Sequence, residues 1–159
     1  MIIYHGTTLE IQKPDISHSK PFLDFGMGFY TTSFIDQAEK WAIRKSIRQA
    51  KTPIVNVYEM DDISMYHIKH FTDPDREWLQ FVCDCRNGKD VYKQFDVVIG
   101  NVANDDVFKC INFYMDGVWN EKRTLDEIRY YKRNDQIVFL NQNVIDSVLH
   151  FVKSYEVNR

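Results

Sequence analysis

Asp24-Phe25-Gly26-Met27-Gly28-Phe29-Tyr30-Thr31-Thr32 is the stretch on which the reading of this chain turns. Two glycines separated by one residue permit an unusual backbone and a close approach by another group. The aromatic and threonine run behind them reads as a tight turn feeding a strand. Upstream, Ile2-Ile3-Tyr4-His5-Gly6 reads as a first strand that ends on a His-Gly pair. Downstream, Ser33-Phe34-Ile35-Asp36 looks like a capping box. It opens a helix to about Gln49, with Ala38, Trp41 and Ala42 on one face and Pro53 as its stop.

The glycine spacing excludes the commonest dinucleotide signature. Gly26-Met27-Gly28 is followed by Phe29-Tyr30-Thr31 with no third glycine, and the chain has no phosphate loop. A nucleotide bound here needs another architecture, and the rest of the sequence predicts an α+β one. Residues 9–25 read as a loop, 54–58 as a strand and 95–100 as a strand. Asp73-Pro74 reads as an N-cap and first helical residue, with the helix ending near Gly88. Residues 105–116 read as a helix closing on Gly117, and 125–132 as a short helix. Residues 136–140 form an apolar, central strand, and 143–156 a terminal amphipathic helix.

With 159 residues, 44% of them hydrophobic, the chain is expected to form a single domain over residues 1–159. A net charge of -3 supplies no global basic field for nucleic acid. No apolar run reaches the length of a membrane span, and the N-terminus has no signal-peptide pattern, so a cytoplasmic location without membrane contact is expected. Three cysteines, Cys83, Cys85 and Cys110, suit free thiols in a reducing compartment. His67 and His70 have helical spacing but no third ligand nearby, so no metal site is expected.

Several residues carry candidate chemistry. His5 at a strand end can hydrogen-bond a ribose hydroxyl, and Gly6 lets its backbone meet a carboxamide. Tyr30 and Trp41 are candidate aromatic walls for a flat ring, such stacking being worth about 0.5–1.5 kcal/mol beyond area burial. Asp135 or Gln136, at the start of the last apolar strand, is placed to hold ribose hydroxyls or steady a developing cation. Each feature by itself also suits a structural role: strand end, turn, core tryptophan, strand edge. Arg44, Lys45, Arg48 and Lys51 form one basic run, and Arg129, Lys132 and Arg133 another. Each is either a solvated helix face or a rim that tracks phosphates.

Taken together and in order, these residues resemble the ADP-ribosyltransferase superfamily, in its poly(ADP-ribose)-polymerase-like branch. That branch has His-Gly on the first core strand, then Gly-x-Gly-x-Tyr, a helix with an alanine and an aromatic, and a late-strand Glu. Here the matches are His5-Gly6, Gly26-Met27-Gly28-Phe29-Tyr30, Ala38 with Trp41, and residues 134–139. The whole chain resembles a bacterial domain-of-unknown-function family placed in that superfamily. The resemblance implies an α+β fold with an ADP-ribosyltransferase-like split β-sheet core flanked by helices. It implies NAD⁺ as co-substrate, without metal. His5, Tyr30 and Gln136 would be the catalytic residues. His5, Gly6, Thr7, Gly28, Tyr30, Thr31 and Trp41 would bind NAD⁺, with Thr31 or Thr32 as the small hydroxyl near the ring.

The third position departs from the pattern. Gln136 is preferred over Asp135 there, and an amide cannot act as a base at pH 7. Asp24, Asp105 and Asp106 are candidate substitutes for the missing carboxylate. The resemblance thus implies a mono-ADP-ribosyltransferase acting on a macromolecular acceptor, nucleic acid or protein. Such a chain would suit a bacterial toxin or phage-defence effector with an antitoxin protein as partner. The alternatives are a non-catalytic NAD⁺ or ADP-ribose sensor and an NAD⁺ glycohydrolase.

Overall fold

A computed structural model describes residues 1–102, 105–129 and 134–158. Ala103, Asn104, Lys132, Arg133 and the side chain of Asp105 lie outside the described residues. Two small sheets form the frame. The first has the order β1-β3-β7, from β1 (Ile2–Thr7), β3 (Ile54–Met60) and β7 (Leu149–Glu156), all antiparallel. The second has the order β2-β6-β5-β4, from β2 (Phe29–Thr31), β6 (Gln136–Phe139), β5 (Val97–Gly100) and β4 (Ile68–His70). Among the described residues only the β4–β5 pair is parallel. Helices flank them: α1 (Ile35–Gln49), α2 (Arg76–Arg86), α3 (Asp105–Met115), α4 (Glu121–Ile128) and α5 (Gln142–Val148).

Side-chain alternation sorts the core. On one face of the second sheet, Val98 and Val138 pack with Phe25 and with α2, α3 and α4, including the fully buried Trp78. On the other face, Phe29, Val97, Ile137 and Phe139 meet Ile3 and Tyr58 of the first sheet, with α5 beside them. The outer face of the first sheet carries α1, through Ala38 and Ala42 against Val55 and Val57.

The expected strands at 54–58, 95–100 and 136–140 are present, and β6 lies between β2 and β5. Other expectations need correction. The terminal helix stops at Val148, and the chain continues as β7 along β3. The register shifts between Val57 and Tyr58, and that irregularity breaks the alternation a strand normally shows in sequence. Ser33 does not cap α1: the N-cap is Phe34 without a side-chain bond, and the Ser33 hydroxyl donates to Asp135. The cap of α2 is Asp75, which accepts from Trp78 N, rather than Asp73. The short helix begins at Glu121, capped by Asn120, and ends at Ile128. Strand β4 was not expected; at three residues it is too short to show a period.

Candidate functional site

The two sheets are joined at one rung. Tyr4 and Thr32 exchange backbone hydrogen bonds of 2.9 and 3.0 Å, in both directions. In an antiparallel ladder the next bonded rung from Tyr4 and Thr32 would join Gly6 to Tyr30. It is not formed. The Tyr30 carbonyl instead accepts from His5 Nδ1 at 2.6 Å. The imidazole has entered the ladder, and the strands part beyond it. Because Tyr4 turns its backbone groups toward Thr32, Gly6 must turn its N–H and C=O the same way, into the opening.

This bond settles the state of His5. A carbonyl only accepts, so Nδ1 carries the proton. Burial pushes the imidazole down from the ordinary 6.5 to about 4; the Tyr30 hydrogen bond opposes the shift and the Lys45 charge adds to it. Neutral His5 therefore offers Nε2 as an acceptor, suited to a ligand hydroxyl. The folded chain binds fewer protons here than the unfolded one. Its stability contribution is whole above pH 6.5 and declines as pH falls to about 4. His5→Asn is expected to flatten that limb of the Tm-against-pH curve relative to wild type. An unchanged difference between pH 6.5 and 4 would place the titration elsewhere.

Helix α1 roofs the opening. It seats directly on Gly6, where a built Cβ would lie 2.0 Å from the Ala38 carbonyl oxygen. Gln37 Nε2 donates to the Asp135 carbonyl at 2.7 Å, at the entry to β6. Lys45 Nζ donates to Thr7 Oγ1 at 3.0 Å, at the end of β1. Trp41 is four residues from each, on the same helix stripe, and is half-buried. Its place in the helix is midway between the two anchors.

Tyr30 is on the floor of this side but tightly held. Its hydroxyl donates to Gly26 O at 2.7 Å and accepts from Phe25 N at 3.0 Å. Burial, with the Asp24 charge adding, raises its pKa well above the ordinary 10, so the phenol stays protonated. Gly26 makes this turn possible: its φ is +87°, and a Cβ would strike the Tyr92 ring. Gly28 is closed off by Phe139 O, 2.6 Å from its built Cβ, so its smallness serves packing against β6.

The late-strand pair divides its work. The Asp135 carboxylate accepts from Thr32 Oγ1 at 2.8 Å, from Ser33 N at 2.9 Å and from Ser33 Oγ. It ties the end of β2 to the start of β6. Gln136 alternates with Ile137 and so shares the face of Val138 and Tyr30. It is 3% exposed, and its Nε2 has no hydrogen-bond partner. Gln37, which sequence patterning passed over as an ordinary helix residue, comes to this same place.

The geometry does not gather every expected residue. Thr31 is fully buried on the opposite face, and its hydroxyl donates to Ile137 O at 2.7 Å. Thr32 bonds Asp135. Asp24 pairs with Arg86 Nε at 2.7 Å, and Asp106 lies 3.9 Å from Lys109. The cysteines are buried, and burial raises all three thiols, Cys83 to about 11 and Cys85 to about 12. That disfavours them as nucleophiles. Of the basic runs, Lys45 is half-buried beside Lys20, Arg48 and Lys51, and burial together with those charges lowers its pKa. A surface cavity of about 550 Å³ lies elsewhere, along α2 from Asp75 to Asp84, and none of the expected site residues lines it. Among the described residues no helix is long and apolar enough to cross a membrane.

The architecture, two small sheets flanked by helices and parting beside a His-Gly pair, is generally compatible with the split sheet of an ADP-ribosyltransferase-like fold. No curated protein and no solved structure matches the chain. A family model described as a protein of unknown function matches residues 1–151. Since that match spans nearly the whole length, the chain belongs to the DUF3990 family.

Proposed function

We propose that the opening between β1 and β2 binds NAD⁺ and that the chain is a mono-ADP-ribosyltransferase. The observation that carries this reading is the missing Gly6–Tyr30 rung, with His5 in its place. It directs one N–H and one C=O of Gly6 into a gap, a pair complementary to a primary carboxamide. Trp41 on the roof and Tyr30 on the floor supply flat apolar faces for the nicotinamide ring. His5 Nε2 accepts a ribose hydroxyl. Beyond Thr7, Lys45 and its cationic neighbours Lys20, Arg48 and Lys51 provide countercharge for a diphosphate.

Cleavage of the nicotinamide–ribose bond passes through an oxocarbenium-like cation. This site stabilises it by orientation rather than by a base. Gln136 is neutral, and Asp135 is held by Thr32 and Ser33. Such a site suits a single transfer to a reactive acceptor, a nucleic acid or a protein side chain, and not chain elongation. A toxin or defence role, with a neutralising antitoxin, is consistent with that chemistry. The second reading, a sensor that binds NAD⁺ without cleaving it, is favoured by the same glutamine.

The test is incubation with NAD⁺ labelled on the adenylate phosphate, in a cell lysate treated with nuclease or protease. Macromolecular label is the expected result, and the enzyme that removes it names the acceptor class. Free labelled ADP-ribose would mean hydrolysis. Intact NAD⁺ with measurable binding would mean the sensor.

A further inference from the structure

Two buried amide atoms of opposite sense lack partners at one place. Gln37 Oε1 is an acceptor without a donor, and Gln136 Nε2 is a donor without an acceptor. The residues are 7% and 3% exposed. The Asp135 carbonyl, 2.7 Å from Gln37 Nε2, only accepts, so it fixes which end of the Gln37 amide is nitrogen. It also places that amide beside the residue that precedes Gln136. Thr32 faces the same side as Tyr4, against which α1 packs, and Gln136 lies in line with Thr32 across the β2–β6 ladder. Both amides thus belong to the space between α1 and the sheet. Buried polar atoms are nearly always paired, so two complementary orphans, one on a side chain bonded to the Asp135 carbonyl and the other on the residue after Asp135, point to a group that bridges them.

We propose that Gln37 and Gln136 form a two-amide clamp for a sugar hydroxyl, which makes Gln37 a specificity-determining residue. A ligand hydroxyl serves both atoms at once: it donates to Gln37 Oε1 and accepts from Gln136 Nε2. This rests on the NAD⁺ reading of the opening, in which the hydroxyl belongs to the nicotinamide ribose. The clamp also rationalises a glutamine at the third position. A carboxylate there would face the Gln37 oxygen as a second acceptor, and a bound hydroxyl, with one proton, could satisfy only one of them. The amide restores the donor–acceptor match.

The test has two arms on the full-length chain. In the first, dissociation constants are measured for NAD⁺ and for its analogues lacking the 2′- or the 3′-hydroxyl of the nicotinamide ribose. Wild type is expected to prefer NAD⁺ over one analogue by about 10-fold or more, because removing the hydroxyl strands both amides. Gln37→Met and Gln136→Met are expected to bind NAD⁺ and that analogue alike. Discrimination that survives in either variant overturns the clamp and leaves the NAD⁺ reading standing.

In the second arm, Tm is measured for ligand-free Gln136→Met. It is expected to match or exceed wild type, because the nitrogen removed is unpaired in the free protein. A fall of about 4 °C or more would mean that the nitrogen is satisfied, by Gln37 or by a held water, and overturns the clamp whatever binds. If wild type binds none of the three nucleotides, the NAD⁺ reading fails and the clamp, which rests on it, fails with it.

Discussion

Gly6→Ala is expected to destabilise the chain by about 3 kcal/mol or more, the upper end of what overpacking costs. For a chain of this size that is a fall in Tm of roughly 10 °C. The added carbon would lie 2.0 Å from Ala38 O and 2.9 Å from both Ala38 C and Ala42 N. All three are backbone atoms of α1, so no rotamer change relieves the contact and the helix must lift. Lifting α1 strains the Gln37–Asp135 and Lys45–Thr7 bonds that hold the roof at each end. Nucleotide binding should therefore fall together with Tm. Thermal unfolding and a binding titration on the same preparation check this; a Tm within about 2 °C of wild type would show that α1 does not rest on β1 as described.

His5→Asn separates the two duties of the histidine. Asn can donate from its amide to the Tyr30 carbonyl, as Nδ1 does, but it presents no acceptor where Nε2 stood. Stability at pH 7 should stay within about 1–2 kcal/mol of wild type, the scale of one altered hydrogen bond. Turnover of NAD⁺ should fall by about 100-fold or more, equivalent to roughly 2.7 kcal/mol of lost transition-state stabilisation. His5→Ala should lose the same turnover and also the bond that replaces the Gly6–Tyr30 rung. Nicotinamide release, followed at saturating and at limiting NAD⁺, measures the effect. Full turnover in His5→Asn would remove the acceptor nitrogen from the mechanism. Tyr30→Ala is a poorer probe, because the phenol holds the Phe25–Gly26 turn and its loss perturbs the fold as well as the site.

Much of this arrangement is written locally. Apolar runs at residues 54–58 and 136–139 declare strands by themselves, and Ala38, Trp41 and Ala42 mark the inner stripe of α1. The pairing of a His-Gly strand end with a glycine-rich turn is also plain in sequence. What misleads is the sequence after Val148. Leu149 to Tyr155 keeps enough apolar residues at helical spacing to read as helix, while the irregular register against β3 hides its alternation. The chain becomes a strand there because the exposed edge of β3 offers a full ladder of backbone partners, a long-range reward that no window of sequence contains.

The candidate site residues divide in the same way. Residue type alone determined that a histidine, a backbone glycine, a tyrosine and a tryptophan were available, and left a carboxylate, Asp135, and an amide, Gln136, side by side at the late strand. Tertiary structure decided what each is free to do. Thr31 and Asp135 have their polar atoms consumed by Ile137, Thr32 and Ser33. Gln37 and Gln136 keep one amide atom each unspent. Side-chain chemistry is a property of composition and order. Which donors and acceptors remain unpaired is set by contacts between segments as distant as β1, α1 and β6, and only the folded chain brings those together.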